Sequence, residues 1–262
     1  MSRPTVFMWH ALGDRTAETD PFSVFIPVTA FARQLDLLIE RKSHFLDLDG
    51  YLRGLERNSW PARSVLVTLD DGYVSTLDDA APLLAARSIP AVCFALPGRL
   101  GGTSAWMPGA SDNRLLDADG LRELETHGVR VEAHGWDHTN VPGLSPAELH
   151  HQITATRSAL ADLLGREPIA FAYPSGRHDA AARQAVRDAG YSLAFGVHAD
   201  TDDRWAISRV DVNPTDTDTS FRLKATRLWP LAYRTLGRVA PVRRGLHRVV
   251  GTGRAAGGAS SG

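Results

Sequence analysis

Two adjacent carboxylates, Asp70 and Asp71, close the apolar run Val65-Leu66-Val67-Thr68-Leu69 and are followed at once by Gly72. Carboxylates at the end of a buried strand are costly unless a counter-charge, a metal or a reacting group meets them. A second polar cluster, His134-Gly135-Trp136-Asp137-His138, follows the run Val129-Arg130-Val131-Glu132-Ala133. Two imidazoles separated by three residues can converge on one cation, and a carboxylate from another strand end completes a three-ligand set. Three N/O ligands with an open fourth position is the pattern of a catalytic rather than a structural zinc. The helical motif of zinc proteases shares this spacing but needs Glu directly after the first His, where this chain has Gly135. Each cluster alone also reads as an ordinary feature, an exposed Asp-Gly turn or a pair of surface histidines. Their combination favours the chemistry.

Two more polar clusters sit at the ends of apolar runs. Pro168-Ile169-Ala170-Phe171-Ala172-Tyr173 leads into Pro174-Ser175-Gly176, and Thr5-Val6-Phe7-Met8-Trp9 ends at His10. Strand patterns alternate with helical ones along the chain, which predicts parallel βαβ units. Helices are expected over Thr29 to Arg41, Thr76 to Arg87, Leu115 to His127, Ser145 to Leu164 and Asp179 to Ala189. Ser145, Pro146 and Glu148 supply an N-cap, a first-turn proline and a capping box for the fourth of these. Further strands are expected at Phe45 to Leu48, Ala91 to Ala95, Tyr191 to Val197 and Ala206 to Val212. Seven or eight parallel strands suit a distorted (β/α) barrel better than an open doubly wound sheet. In such a fold the strand ends that carry all four clusters share one face.

At these residues the chain resembles the polysaccharide deacetylase (NodB-homology) family. Thr68-Leu69-Asp70-Asp71-Gly72 is similar to its Thr-Phe-Asp-Asp-Gly motif, and His134 to His138 to its His-Ser/Thr-x-x-His motif. Tyr173-Pro174-Ser175-Gly176 resembles the third motif in a looser form, and Met8-Trp9-His10-Ala11-Leu12 resembles the start of a branch whose histidine motif stands at the N-terminus. The resemblance runs from about residue 5 to residue 213. It implies one divalent metal, zinc or else cobalt or nickel, held by Asp71, His134 and His138. It makes Asp70 the base that takes a proton from the attacking water, and assigns an oxyanion-stabilising backbone N–H to Tyr173. A bound divalent metal lowers the pKa of its water to roughly 7 and polarises the acyl oxygen, which is what amide hydrolysis at neutral pH requires. The leaving amine needs a proton, and His10 is the chosen donor because an imidazole titrates in the right range. His198 is the alternative. The arginine that opens the family's third motif is absent, with Arg177 and Arg209 as candidate replacements.

The implied activity is removal of an N-acetyl or other N-acyl group from an amino sugar. Two other classes stay open: a non-catalytic sugar- or metal-binding module, and a glycosidase. A glycosidase needs two carboxylates facing each other across a bond. Consecutive strand residues point to opposite faces, so Asp70 and Asp71 are poorly placed for this, and Glu132 is the only obvious alternative partner. Loop aromatics Phe22, Phe25 and Trp106, with Met107, either line a sugar-binding platform or pin their loops to the body.

The 262 residues are enough for one barrel-sized core. Cys93, the only cysteine, lies in an apolar strand and is expected to be a reduced core thiol. Met1-Ser2-Arg3-Pro4 lacks a signal-peptide pattern, so a cytoplasmic enzyme is expected. Nothing points to a nucleic-acid partner. Residues 1–218 are read as the catalytic barrel, 219–250 as a basic amphipathic C-terminal segment and 251–262 as a tail without fixed structure. The near-neutral total hides a split: residues 219–262 carry nine basic and no acidic side chains, while the rest carries 20 basic against 30 acidic. Arginines interleaved with Trp, Tyr and Leu suit an anionic membrane surface or a protein partner. The plainer reading is a helix packed on the acidic barrel.

Overall fold

The computed structural model describes residues 3–16, 18–107, 113–197, 203–226 and 229. Its ten strands are β1 (Thr5–Trp9), β2 (Ala11–Leu12), β3 (Phe25–Ile26), β4 (His44–Phe45), β5 (Ser64–Asp71), β6 (Ala91–Ala95), β7 (Val129–Ala133), β8 (Ala170–Ala172), β9 (Leu193–Val197) and β10 (Ile207–Asp211). Eight of them form one parallel sheet in the order β1-β10-β9-β8-β7-β6-β5-β4, and a β1–β5 pairing closes seven strands into a barrel with β4 as an extra strand. β2 and β3 pair with each other in a separate two-stranded sheet. The helices are α1 (Val28–Glu40), α2 (Leu48–Arg57), α3 (Ala81–Ala85), α4 (Ala118–Thr126), α5 (Pro146–Leu149), α6 (Thr156–Leu164), α7 (Ala180–Asp188) and α8 (Asp218–Lys224). This is the distorted (β/α) barrel that the alternation of patterns predicts.

Period-two alternation sorts each strand into an outer and an inner face. Val65, Val67 and Leu69 of β5 join Cys93, Val129, Val131 and the helices in the outer core. Leu66, Val92, Phe94, Ala170, Leu193 and Phe195 fill the interior with Tyr51 and Trp60. Cys93 is buried, as expected, and burial pushes its thiol pKa well up.

Three local expectations change. The strand at Phe45 to Leu48 is limited to His44–Phe45, because Asp47 caps a helix instead, its Oδ1 accepting the Gly50 N–H at 2.6 Å. That helix, α2, brings Tyr51 onto the interior cluster, where it packs against Phe195. The long helices at 76–87 and 145–164 each contain one wide, π-type turn, at Thr76–Ala80 and His150–Ala155. The capping box at Ser145 is present as read.

The boundary at residue 218 also moves. Phe221 of α8 is buried and stacks on Phe7 at 5.0 Å, and the buried Lys224 pairs with Asp216 at 2.6 Å. The barrel therefore extends through α8, which follows the plainer reading of the segment's first turns. Residues 230–262, including the rest of the basic segment and the tail, lie outside the described residues. No helix among the described residues is long and apolar enough to cross a membrane.

Candidate active site

Parallel register brings the four polar clusters to one rim. Asp70 and Asp71 pair with Phe94 and Ala95 of β6, and Ala95 pairs with Ala133, the residue before His134. On the other side Trp9 pairs with Leu69 and Met8 with Asp211, so His10 and Asp211 stand beside the aspartates. The strand ends surround a cavity of about 650 Å³ lined by His10, Asp70, Asp71, His134, His138 and Asp211, among others.

Asp70 continues the inward face of β5. Asp71 should point outward, but its φ of 73° turns the chain and carries its carboxylate into the same cavity. This left-handed backbone is uncommon outside glycine, although Asp tolerates it better than most residues. Both carboxylates thus approach His134 Nε2, Asp71 Oδ1 at 3.4 Å and Asp70 Oδ2 at 3.8 Å. The opposite-face argument against a glycosidase pair fails here, yet the outcome does not change. Carboxylates that share one imidazole leave no room for a sugar bond between them. Glu132 is equally unsuited, since it is buried between Arg130 and Arg166 and accepts the N–H groups of Ile169 and Ala170.

Asp70 is gripped by Arg209, whose Nη1 and Nη2 donate to its two oxygens at 2.6 and 2.7 Å. Of the two candidate replacements for the missing third-motif arginine, Arg209 on β10 makes this contact with Asp70, while Arg177 is exposed. Burial alone would raise the Asp70 carboxyl, but Arg209, with His134 and His10 behind it, holds it below the usual carboxylate range.

Asp71, His134 and His138 form the second group. His138 Nε2 lies 3.5 Å from Asp71 Oδ1, and the three ligand atoms all fall within 4.8 Å of one another. His134 Nδ1 lies 2.9 Å from the Ala172 carbonyl, which can only accept, so Nδ1 carries the proton and Nε2 faces Asp71. Asp71 Oδ1 is buried without a hydrogen-bond partner. Burial opposes charge on both groups, but the histidines hold the Asp71 carboxyl low, and Asp70 and Asp71 raise His134. Burial lowers His138 to about 4, leaving it neutral. An orphaned carboxylate oxygen faced by two imidazole nitrogens asks for positive charge, so these residues fit a divalent cation.

Tyr173 does not hold its expected role. Its N–H donates to the Phe195 carbonyl at 2.9 Å within the sheet, and its buried ring donates through the hydroxyl to Trp205 O. Ser175, at φ 55°, is the member of that turn that lines the cavity, together with Gly176. His198 lies outside the described residues. Asp211 escaped sequence reading because nothing in Ala206 to Val212 separates it from an ordinary strand residue; only its register with Met8 does. Of the loop aromatics, Phe22 and Trp106 line the cavity, and Trp106 stacks on His138 at 4.7 Å with planes 13° apart. Phe25 instead packs inward against Tyr73.

Residues 57–194, more than half of the chain, match the family model for polysaccharide deacetylase. The chain belongs to the polysaccharide deacetylase family. It is 24% identical over 163 residues, 61% of this chain and 55% of the relative, to YxkH of Bacillus subtilis (strain 168), assigned as a polysaccharide deacetylase. Over 100 residues, 37% of this chain and 35% of the relative, it is 29% identical to the poly-beta-1,6-N-acetyl-D-glucosamine N-deacetylase of Staphylococcus epidermidis. It therefore spans from a third to just over half the length of these two curated relatives. Among solved structures, Streptococcus pyogenes deacetylase PplD in complex with acetate matches with a TM-score of 0.74 at 21% identity, covering 86% of this chain and 99% of that one. IcaB from Ammonifex degensii matches at 0.72 and 25% identity, covering 85% and 97%. Both share the barrel of this chain.

Proposed function

We propose that this protein hydrolyses the N-acetyl group of an amino sugar, using one divalent metal, zinc first, held by Asp71, His134 and His138. The observation that carries the reading is the orphaned Asp71 Oδ1 between two imidazole nitrogens, next to an Asp70 carboxylate kept ionised by Arg209. When bound, the metal supplies a Lewis acid that acidifies water and polarises the acyl oxygen. Asp70, ionised at neutral pH and fixed through both oxygens, orients the attacking water and takes its proton. His10, which lines the same cavity, hands a proton to the departing amine. Asp211 lines the same cavity beside it, its carboxyl pushed above the usual range by burial. With the Tyr173 N–H committed to the sheet, backbone stabilisation of the oxyanion passes to the Ser175 turn.

Poly-β-1,6-N-acetylglucosamine is the first substrate to test, on the strength of the staphylococcal relative. A carrier-linked N-acetyl sugar is the second. Acetate release from each, with chelated protein reloaded with zinc or cobalt, decides between them. Metal binding without acetate release from any N-acyl sugar would favour a binding module.

A further inference from the structure

The two histidines of the metal group are held in different ways. His134 follows β7 directly and is fixed by the Ala172 carbonyl. His138 comes four residues later in a loop, at φ 72°, a conformation that costs free energy unless its surroundings impose it. Gln152 meets that loop. Its Oε1 accepts the Trp136 N–H at 2.9 Å and its Nε2 donates to Asp137 Oδ1 at 2.8 Å. Asp137 Oδ1 then accepts the N–H and hydroxyl of Thr139 at 3.2 and 2.7 Å. One buried amide thus fixes the chain before His138 directly and after it through Asp137. The amide orientation follows from its partners, because a backbone N–H can only donate and a carboxylate only accept.

The fold brings Gln152 there by means that sequence periodicity does not show. It is 5% exposed and sits in the wide turn His150–Ala155, the kind of helical irregularity often found at functional sites. Gly135 at φ 86° lets the loop lie close, since a Cβ there would come within 3.3 Å of Gln152 Oε1 and 3.2 Å of Pro174 Cγ. The next residue on the helix side, His151, packs on the Trp136 ring at 4.8 Å.

We infer that Gln152 is a positioning residue that holds His138 in its ligating conformation and so sets the affinity of the Asp71–His134–His138 group for a divalent metal. The inference rests on the metal-site reading above. Outer partners of metal ligands commonly contribute about 10–100-fold in affinity. Zinc competition with a chelator is measured on the full chain for wild type, Gln152→Ala and Gln152→Glu, together with hydrogen exchange of the Trp136 and Thr139 amides in metal-free protein. Gln152→Glu changes one atom and sets two carboxylates against each other, while Gln152→Glu/Asp137→Asn restores a donor between them. The expected result is an affinity about 10–100-fold lower in both single variants, partial recovery in the double variant, and faster exchange of both amides in Gln152→Ala. Zinc affinity within twofold of wild type in both single variants, or unchanged protection of the two amides, overturns it. The exchange arm reads the loop whether or not zinc binds, so it separates failure of this inference from failure of the metal-site reading.

Discussion

Arg209 and Asp70 bury opposite charges against each other, and removing either partner leaves the other charge uncompensated. Arg209→Met should destabilise the fold by about 3–5 kcal/mol in chemical denaturation, the usual cost of breaking a buried pair. The pH signature has a definite sign. In the wild type Asp70 is held below its unfolded value, so its share of stability is complete above the ordinary carboxylate range and lost as pH falls below it. Without Arg209, burial dominates and the carboxyl rises, so the acid limb of kcat/KM should move to higher pH. An unmoved limb would detach the limb from Asp70. The neighbouring aspartates should also separate in behaviour: Asp70→Asn keeps its metal and loses most turnover, whereas Asp71→Asn loses both, read by metal content and acetate release. His10→Ala should slow turnover about 10²–10⁴-fold with metal retained, the scale of a lost general acid. A near-normal rate would move that role elsewhere.

At the level of elements, the histidine loop is fixed by its neighbours more than by its own backbone. The Gly98 N–H donates to Trp136 O at 2.8 Å, and a Cβ on Gly98 would lie 2.4 Å from Trp136 Nε1 and 2.7 Å from that carbonyl. Gly98→Ala must push the loop away. It should cost about 1–3 kcal/mol by thermal unfolding, as overpacking does, and weaken zinc binding as well. Trp106 reaches the site from the opposite loop and covers His138. Trp106→Ala should raise KM for an oligosaccharide severalfold while metal content stays at the wild-type level; an unchanged KM would make Trp106 a loop anchor only.

For the whole molecule, α8 closes the core where the barrel begins, with Phe221 against Phe7 and Trp9. Phe221→Ala should cost about 3–5 kcal/mol, and removal of α8 should abolish cooperative unfolding. Truncation after Trp229 spares these contacts and removes most of the basic segment. If that segment serves an anionic membrane surface, the full chain floats with anionic liposomes at low salt, releases at high salt, and the truncated chain stays behind. Equal flotation of the two chains would discard the membrane proposal.

The order of the barrel strands, the barrel class and the strand-end placement of Asp70, Asp71, His134 and His10 were all legible in the sequence. Each depends on short-range signals: hydrophobic period, caps and turn residues. The motif resemblance supplied the expected division between base and ligands. What the sequence could not carry was every relation set by register or by an uncommon backbone angle. Asp71 faces the cavity because of one positive φ, against the alternation of its strand. Arg209 reaches Asp70, and Asp211 comes to line the same cavity as His10, only because β10 pairs beside β1, some 140 residues later in the chain than Asp70. The Tyr173 N–H, free in the sequence, is spent in the sheet on Phe195. Local patterns fix which elements form, whereas side-chain convergence is a long-range property that closing the barrel alone decides.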